Sequence, residues 1–143
     1  MGLFRSLFSN PMPEYPKLDT DSWAGKRVSA VDPELHQLAS RVSRPLEIVP
    51  SDHAVYVFIG KPPKKFGLAW IHDGNGRGFF RLVQEYGVTP AQVGRALDEL
   101  RSAHAGHLDA EHYLATIGQR KVVVTVSEFL QTEVDRIING MLD

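Results

Sequence analysis

The chain has 143 residues, of which 43% are hydrophobic and 23% charged, and its formal net charge is -1. These values exclude a disordered chain of low hydrophobicity, and they give no global positive field that would draw the protein to nucleic acid. The sequence has no cysteine, which excludes disulfides, thiolate metal sites and cysteine nucleophiles. Because this composition suits a reducing compartment, we expect a soluble, cytoplasmic protein.

An amphipathic peptide and a proline-rich arm are predicted at the amino end. Four apolar side chains recur there at helical spacing, namely Leu3, Phe4, Leu7 and Phe8. Prolines at positions 11, 13 and 16 cannot continue a helix. Residues 10–27 contain few core-forming side chains, which predicts an extended arm rather than a packed element. We therefore assign residues 1–27 to the peptide and arm, and residues 28–143 to a single α+β domain.

The first half of that domain combines one helix with a β-hairpin. Asp32 followed by Pro33 predicts a helix start, and Pro45 closes this helix. Residues 46–49 predict a short strand. The runs 53–59 and 66–71 are rich in β-branched and aromatic residues, which predicts an antiparallel hairpin.

The second half is predicted to be mainly helical, with one buried strand. A glycine-rich turn over residues 73–78 precedes helices over 79–86 and 90–104, and Thr89 can cap the second of these. Residues 121–126 are almost all valine, which indicates an interior strand. Ser127 then caps a closing helix whose apolar positions are Phe129, Leu130, Val134, Ile137, Ile138 and Met141. Together these elements predict an α+β fold with a small antiparallel sheet of about three to four strands, covered mainly on one face by helices, with an extended N-terminal arm.

Residues 81–100 resemble the bacterial helix-turn-helix motif that binds DNA. A glycine turn at Gly87 and Val88 is followed by an amphipathic helix carrying Gln92 and Arg95, which the resemblance places where side chains reach base edges. Asp98 and Glu99 lie on the same helix and would repel backbone phosphates. The pattern therefore favours a structural helical hairpin, and we do not expect nucleic acid as a partner.

A second candidate site is the glycine-rich stretch that follows the predicted hairpin. Glycine amides in a loop before a helix can cradle a phosphate, and a strand-end histidine can act as a general acid or base. The residues concerned are His72, Asp73, Gly74, Asn75, Gly76 and Arg77. The stretch matches neither the dinucleotide fingerprint nor the P-loop, and a plain strand-to-helix connection explains it as well.

The densest set of potential metal ligands comprises His104, His107, Asp109, Glu111 and His112. Their spacing resembles no zinc motif, and histidines at a helix end commonly interact with the last carbonyl groups instead. We therefore expect no metal site and no cofactor.

These observations favour a non-enzymatic accessory protein that docks another protein through its N-terminal peptide. The support is the missing nucleophile, metal motif and cofactor loop, together with the four apolar side chains at the amino end. Weak peripheral contact between this peptide and a membrane is an alternative use of the same segment, with Arg5 as its only basic side chain. Two further alternatives remain open: a helix-turn-helix DNA-binding regulator, and a small enzyme or phosphoryl-ligand binder built on the glycine-rich stretch.

Overall fold

Four helices and six strands are formed by the part of the chain that the structure, a computed structural model, describes: residues 14–52, 54–62, 64–72, 75–78, 87–106 and 110–142. In chain order they are α1 (Trp23–Ala30), α2 (Asp32–Arg41), β1 (Leu46–Pro50), β2 (Val55–Gly60), β3 (Phe66–His72), β4 (Asn75–Gly78), α3 (Pro90–Gly106), β5 (Glu111–Ile117), β6 (Arg120–Val126) and α4 (Glu128–Leu142). Within these ranges no helix combines the length and the apolar character needed to cross a bilayer.

The six strands form one mixed sheet in the order β4-β3-β2-β1-β6-β5. The predicted hairpin of β2 and β3 is confirmed, with Tyr56 opposite Trp70 in the antiparallel register. The pairing of β1 with β6 is parallel and the other four pairings are antiparallel, so the sheet is mixed and has more than the predicted three to four strands. The additional strands β4 and β5 lack the dense β-branched composition of β2, and their sequences therefore gave no strand signal.

Helices cover both faces of this sheet, and the expectation that they crowd one face is wrong. On one side α3 and α4 pack on residues that include Phe58 and Trp70. On the other side α1 and α2 pack on residues that include Val57 and Val124. The reason lies in β2, where neighbouring residues point to opposite faces and five of the six are buried. We refer to the two sides as the α3/α4 face and the α1/α2 face.

The segment before α2 packs on the domain and differs from the extended arm that the sequence predicts. Leu18 is buried, and α1 contributes Ala24, Gly25 and Val28 to the interior, so the expected boundary at residue 28 lies inside this helix. A side chain at Gly25 would bring its Cβ to 2.2 Å from the carbonyl oxygen of Asp19. Glycine therefore permits the close approach that folds residues 19–22 over the start of α1.

Candidate functional site

A recess opens on the α1/α2 face, where the start of α1 meets the edge strand β5. Its volume is about 330 Å³. The described residues that line it are Leu18, Asp19, Ser22, Trp23, Ala24, Glu111, Tyr113 and Val126. We call this cavity the Trp23 recess, because 43% of the Trp23 surface is exposed although the residue is large and apolar. An exposed tryptophan beside a concave surface is typical of a ligand or partner site.

Local hydrogen bonds fix one wall of the Trp23 recess. The Ser22 hydroxyl accepts from the amide of Gly25 at 3.1 Å and donates to the carbonyl oxygen of Asp19 at 2.6 Å. The carboxylate of Asp19 accepts from the amide of Asp21 at 2.9 Å. Serine in this position caps α1, so the turn that holds Asp19 and the helix that holds Trp23 are tied together.

Strand alternation supplies the opposite wall of the Trp23 recess. Glu111 and Tyr113 are two residues apart on β5, and therefore point to the same face of the sheet. The Tyr113 hydroxyl lies 3.3 Å from Oε2 of Glu111. The negative charge of Glu111 raises the pKa of Tyr113, with smaller contributions from desolvation and from this hydrogen bond. Like any phenol, the hydroxyl is protonated and neutral at physiological pH, and its hydrogen is directed at Glu111.

The lining of the Trp23 recess carries negative charge. Asp19 and Glu111 contribute carboxylates, and none of the eight described lining residues is a lysine, arginine or histidine. Leu18, Ala24 and Val126 contribute apolar surface. The cavity thus combines two aromatic side chains, two carboxylates, three apolar side chains and the hydroxyl of Ser22.

The segment that leads into α1 is attached to the outer edge of β5. Leu18 donates its amide to the carbonyl of Leu114 at 2.8 Å, and Leu114 donates its amide to the carbonyl of Pro16 at 2.8 Å. Just before this pairing, the ring of Tyr15 lies on that of His112 with 4.9 Å between centroids. These contacts protect part of an edge strand and hold residues 15–18 against β5.

A polar cluster lies on the α3/α4 face, where β1 and β6 meet the end of α3. His104 donates from Nε2 to Oε1 of Glu47 at 2.8 Å, and Thr125 donates its hydroxyl to Oε2. The Thr125 hydroxyl has one hydrogen, so it accepts from Nδ1 of His112, 3.0 Å away. Burial on its own raises the pKa of Glu47, but the hydrogen bonds from His104 and Thr125 and the charges of both histidines outweigh it and hold that pKa below its usual value.

A second polar cluster joins α4 to the turn after β1. The carboxylate of Asp135 accepts from the Ser51 hydroxyl at 2.7 Å and from the Tyr56 hydroxyl. Arg27 on α1 donates to the carbonyl of Ser51 at 2.8 Å. Burial and the neighbouring Asp135 raise the pKa of Tyr56. In both clusters the carboxylates are bound by donors from other elements, so their arrangement is explained by fixing helices to the sheet.

The metal hypothesis gains no support from the described geometry. Among the described residues, no group of three or more histidine, aspartate or glutamate side chains is arranged to hold a metal ion. His104 and His112 belong to the cluster around Glu47, whereas Glu111 lines the Trp23 recess. His107 and Asp109 lie outside the described residues.

Residues 75–78 of the glycine-rich region form a strand where the sequence predicts a turn. Asn75, Gly76 and Arg77 belong to β4, and Asn75 pairs with His72 at the end of β3. His72 is exposed. Asp73 and Gly74 lie outside the described residues, as does the predicted helix over residues 79–86. The amides over residues 75–78 therefore belong to a strand ladder instead of a loop before a helix.

The two candidate DNA-binding residues have other surroundings in α3. Thr89 and Gln92 form a reciprocal capping box: the amide of Thr89 donates to Oε1 of Gln92 at 2.8 Å, and the amide of Gln92 donates to Oγ1 of Thr89 at 3.2 Å. Arg95 lines a small cavity between α3 and α4 together with Glu99 and Arg136. Gln92 thus has a structural role at the start of α3.

No family model, curated protein or solved structure matches this chain. The four apolar residues proposed to bind a partner, Leu3, Phe4, Leu7 and Phe8, lie outside the described residues.

Sequence reasoning missed both the Trp23 recess and the Glu47 cluster. Trp23 and Tyr113 come together only because α1 packs beside β5, and β5 was not predicted. A signal for the second feature was present, since Glu47 and Thr125 interrupt runs of apolar strand residues. Polar side chains in such positions require partners, because a buried polar group without a hydrogen bond is costly.

Proposed function

We propose that this chain is a non-enzymatic accessory protein, which docks a partner protein through the amphipathic peptide at its amino end. The observation that carries the proposal is the attachment of residues 16–18 to the edge of β5. This attachment gives the preceding peptide a fixed origin beside the sheet edge. Its apolar side chains, Leu3, Phe4, Leu7 and Phe8, suit insertion of a helix face into a groove of another protein.

The described core supports this proposal. Two hydrophobic clusters, drawn from residues 18–141, occupy the two faces of the sheet. The helices α1 and α2 cover one face, and α3 and α4 cover the other. Each face of the sheet therefore already has a helical layer, and we propose that the apolar stripe of the peptide serves a partner instead of this core.

The alternative functions have weaker support in the geometry. A DNA-binding role would need Gln92 free of its capping box, and a phosphate cradle would need the glycines of residues 74–78 in a loop, although residues 75–78 form β4. Each alternative can be tested directly. If the protein is a DNA-binding regulator, it should retard duplex DNA in a gel at low salt. If it binds phosphoryl ligands, nucleotides should raise its melting temperature.

The experiment compares three full-length proteins: the wild type, the double variant Phe4→Ala/Phe8→Ala, and the matched control Ser6→Ala/Ser9→Ala. Each is used as bait in extract from the native host. A protein that is retained is then purified, and its binding is measured with purified components. A synthetic peptide of residues 1–13 serves as the competitor.

We expect the wild type and the serine control to bind the purified partner, and the phenylalanine variant to lose most of that binding at an unchanged melting temperature. Competition by the free peptide would place the contact on residues 1–13. A fall of several degrees in the melting temperature of the phenylalanine variant, roughly the effect of losing 1 kcal/mol or more, would instead place Phe4 and Phe8 in the core and refute the proposal. Binding to lipid vesicles in the absence of a protein partner would show that the target of the peptide is a membrane and not a protein.

A further inference from the structure

We propose that the Trp23 recess is a binding site for an organic cation, specifically a small alkylammonium ion such as a quaternary amine. This inference is independent of the proposed docking function, because it rests on α1 and β5 and not on the N-terminal peptide.

The size of the cavity sets the class of ligand. A volume of about 330 Å³ lies near the lower end of the range for small-molecule sites, which extends from about 300 to 1,000 Å³. The recess therefore suits a compact head group on a short chain. It is too small for a dinucleotide or a folded peptide segment.

The chemistry of the lining selects a positive charge. Trp23 and Tyr113 supply the two aromatic side chains, and indole and phenol rings attract cations through the negative potential of their faces. Asp19 and Glu111 supply negative charge from opposite walls. A cation that carries methyl groups suits the charged and the apolar parts of this lining. Its charge lies near the carboxylates, and its methyl groups contact Leu18 and Val126.

The start of α1 is the feature that argues for an anion instead, because backbone amides at a helix N-terminus favour negative charge. Here the Ser22 hydroxyl already accepts from the amide of Gly25. The carboxylate of Asp19 precedes the helix and accepts from the amide of Asp21. Two full carboxylate charges in the recess outweigh the partial charge of one short helix, so the local potential favours a cation.

The Tyr113 hydroxyl supports the same conclusion. A tyrosine phenol is protonated and neutral at physiological pH, so it does not repel the carboxylates of the recess. Its hydrogen bond to Glu111 at 3.3 Å orients that carboxylate within the recess. A bound cation would add an attractive partner for Glu111 without breaking this contact.

The test follows the indole N–H resonances of the full chain by NMR. The chain has two tryptophans, and a Trp23→Phe variant assigns the resonance of Trp23 and leaves that of the buried Trp70. The probes are choline, its neutral isostere 3,3-dimethylbutan-1-ol, and Nε-trimethyllysine amide. Contacts between exposed rings and cations are weak, so we expect dissociation constants in the millimolar range.

The expected result is a saturable shift of the Trp23 resonance by choline, with no comparable shift of Trp70, and binding of the neutral isostere at least about fivefold weaker. Glu111→Gln should weaken choline binding several-fold. The matched control Asp98→Asn, which removes a carboxylate that is 79% exposed on α3, should leave it unchanged. Tighter binding of trimethyllysine amide than of choline would identify the source of the cation as a modified side chain.

Three results would overturn the proposal: no saturable shift with either cation, equal binding of the neutral isostere, or a Glu111→Gln variant that binds choline like the wild type at an unchanged melting temperature. None of these outcomes bears on partner docking, and loss of docking in the Phe4→Ala/Phe8→Ala variant would leave choline binding intact.

Discussion

Replacing Glu47 by glutamine should destabilise the protein in a pH-dependent way. The Glu47 side chain is 18% exposed and that of His104 is 12% exposed, so the hydrogen bond between them lies largely out of water. Glutamine keeps the shape of glutamate but carries no charge, and it has one accepting oxygen where the carboxylate uses two. The substitution therefore removes the charge and also forces one of the hydrogen bonds from His104 and Thr125 to reverse or break.

The magnitude follows from the hydrogen bonds that change. A hydrogen bond to a charged group contributes about 1.5–3 kcal/mol, against about 0.5–1.5 kcal/mol for a neutral one. Two such bonds reach the Glu47 carboxylate. Residual solvent exposure reduces the difference, and we expect a loss of about 1–2 kcal/mol, which lowers the melting temperature on the order of 3–6 °C.

The sign of the pH dependence comes from the depressed pKa of Glu47. A carboxyl group whose pKa is lower in the folded state than in the unfolded chain stabilises the fold at pH values above its unfolded pKa, and this contribution is lost as the pH falls through the folded pKa. The wild type should therefore exceed Glu47→Gln in stability above about pH 5. The two proteins should converge as acid protonates Glu47.

The assay is urea unfolding of both proteins over a pH series below neutrality, with the histidines His104 and His112 as the other titratable groups that face Glu47. Glu99→Gln is the matched control, because its ion pair with Arg136 is exposed and 3.8 Å long, and it should change stability by less than about 0.5 kcal/mol. A stability difference between the wild type and Glu47→Gln that stays constant from acid to neutral pH would refute the reasoning.

Four further substitutions test other parts of the structure by denaturant unfolding. Thr89→Ala should cost about 1 kcal/mol through loss of the capping box, and an unchanged midpoint would contradict that role. Tyr56→Phe should cost about 1 kcal/mol at neutral pH. Because the pKa of Tyr56 lies above 10.0 in the fold, the wild type should lose stability above about pH 10. If the stability of Tyr56→Phe fell equally steeply with pH in that range, burial of the Tyr56 hydroxyl would be contradicted. Leu130→Ala, at a residue only 1% exposed, should cost about 2–5 kcal/mol, whereas Phe129→Ala, at a residue 75% exposed, should stay within about 0.5 kcal/mol; similar losses would show that α4 is rotated.

Elements with strong local signals were predicted well. The hairpin of β2 and β3, the helix α3 with its Thr89 cap, and the helix α4 with its Ser127 cap all occur as predicted. Their residues combine a clear hydrophobic period with capping side chains, so local sequence and tertiary packing agree. Phe129 is the exception in α4, since the helical pattern assigned it to the buried face and it is exposed.

The remaining elements depend on contacts that a local pattern does not contain. The edge strands β4 and β5 gain their hydrogen bonds from distant neighbours, and β5 also carries polar residues on both faces. The parallel pairing of β1 with β6 joins residues more than 70 positions apart. The Trp23 recess and the Glu47 cluster both depend on these pairings, and for that reason neither could be derived from spacing along the chain.

The central claim is that the N-terminal peptide is available to a partner and does not complete the core of its own domain. The most direct test compares the methyl NMR spectra of the full chain and of a chain lacking residues 1–10. We predict unchanged chemical shifts for the valine, leucine and isoleucine methyl groups of both hydrophobic clusters. Widespread shifts of the methyl groups that pack on the sheet, for example those of Val124 or Leu130, would show that the peptide belongs to the core and would contradict the claim.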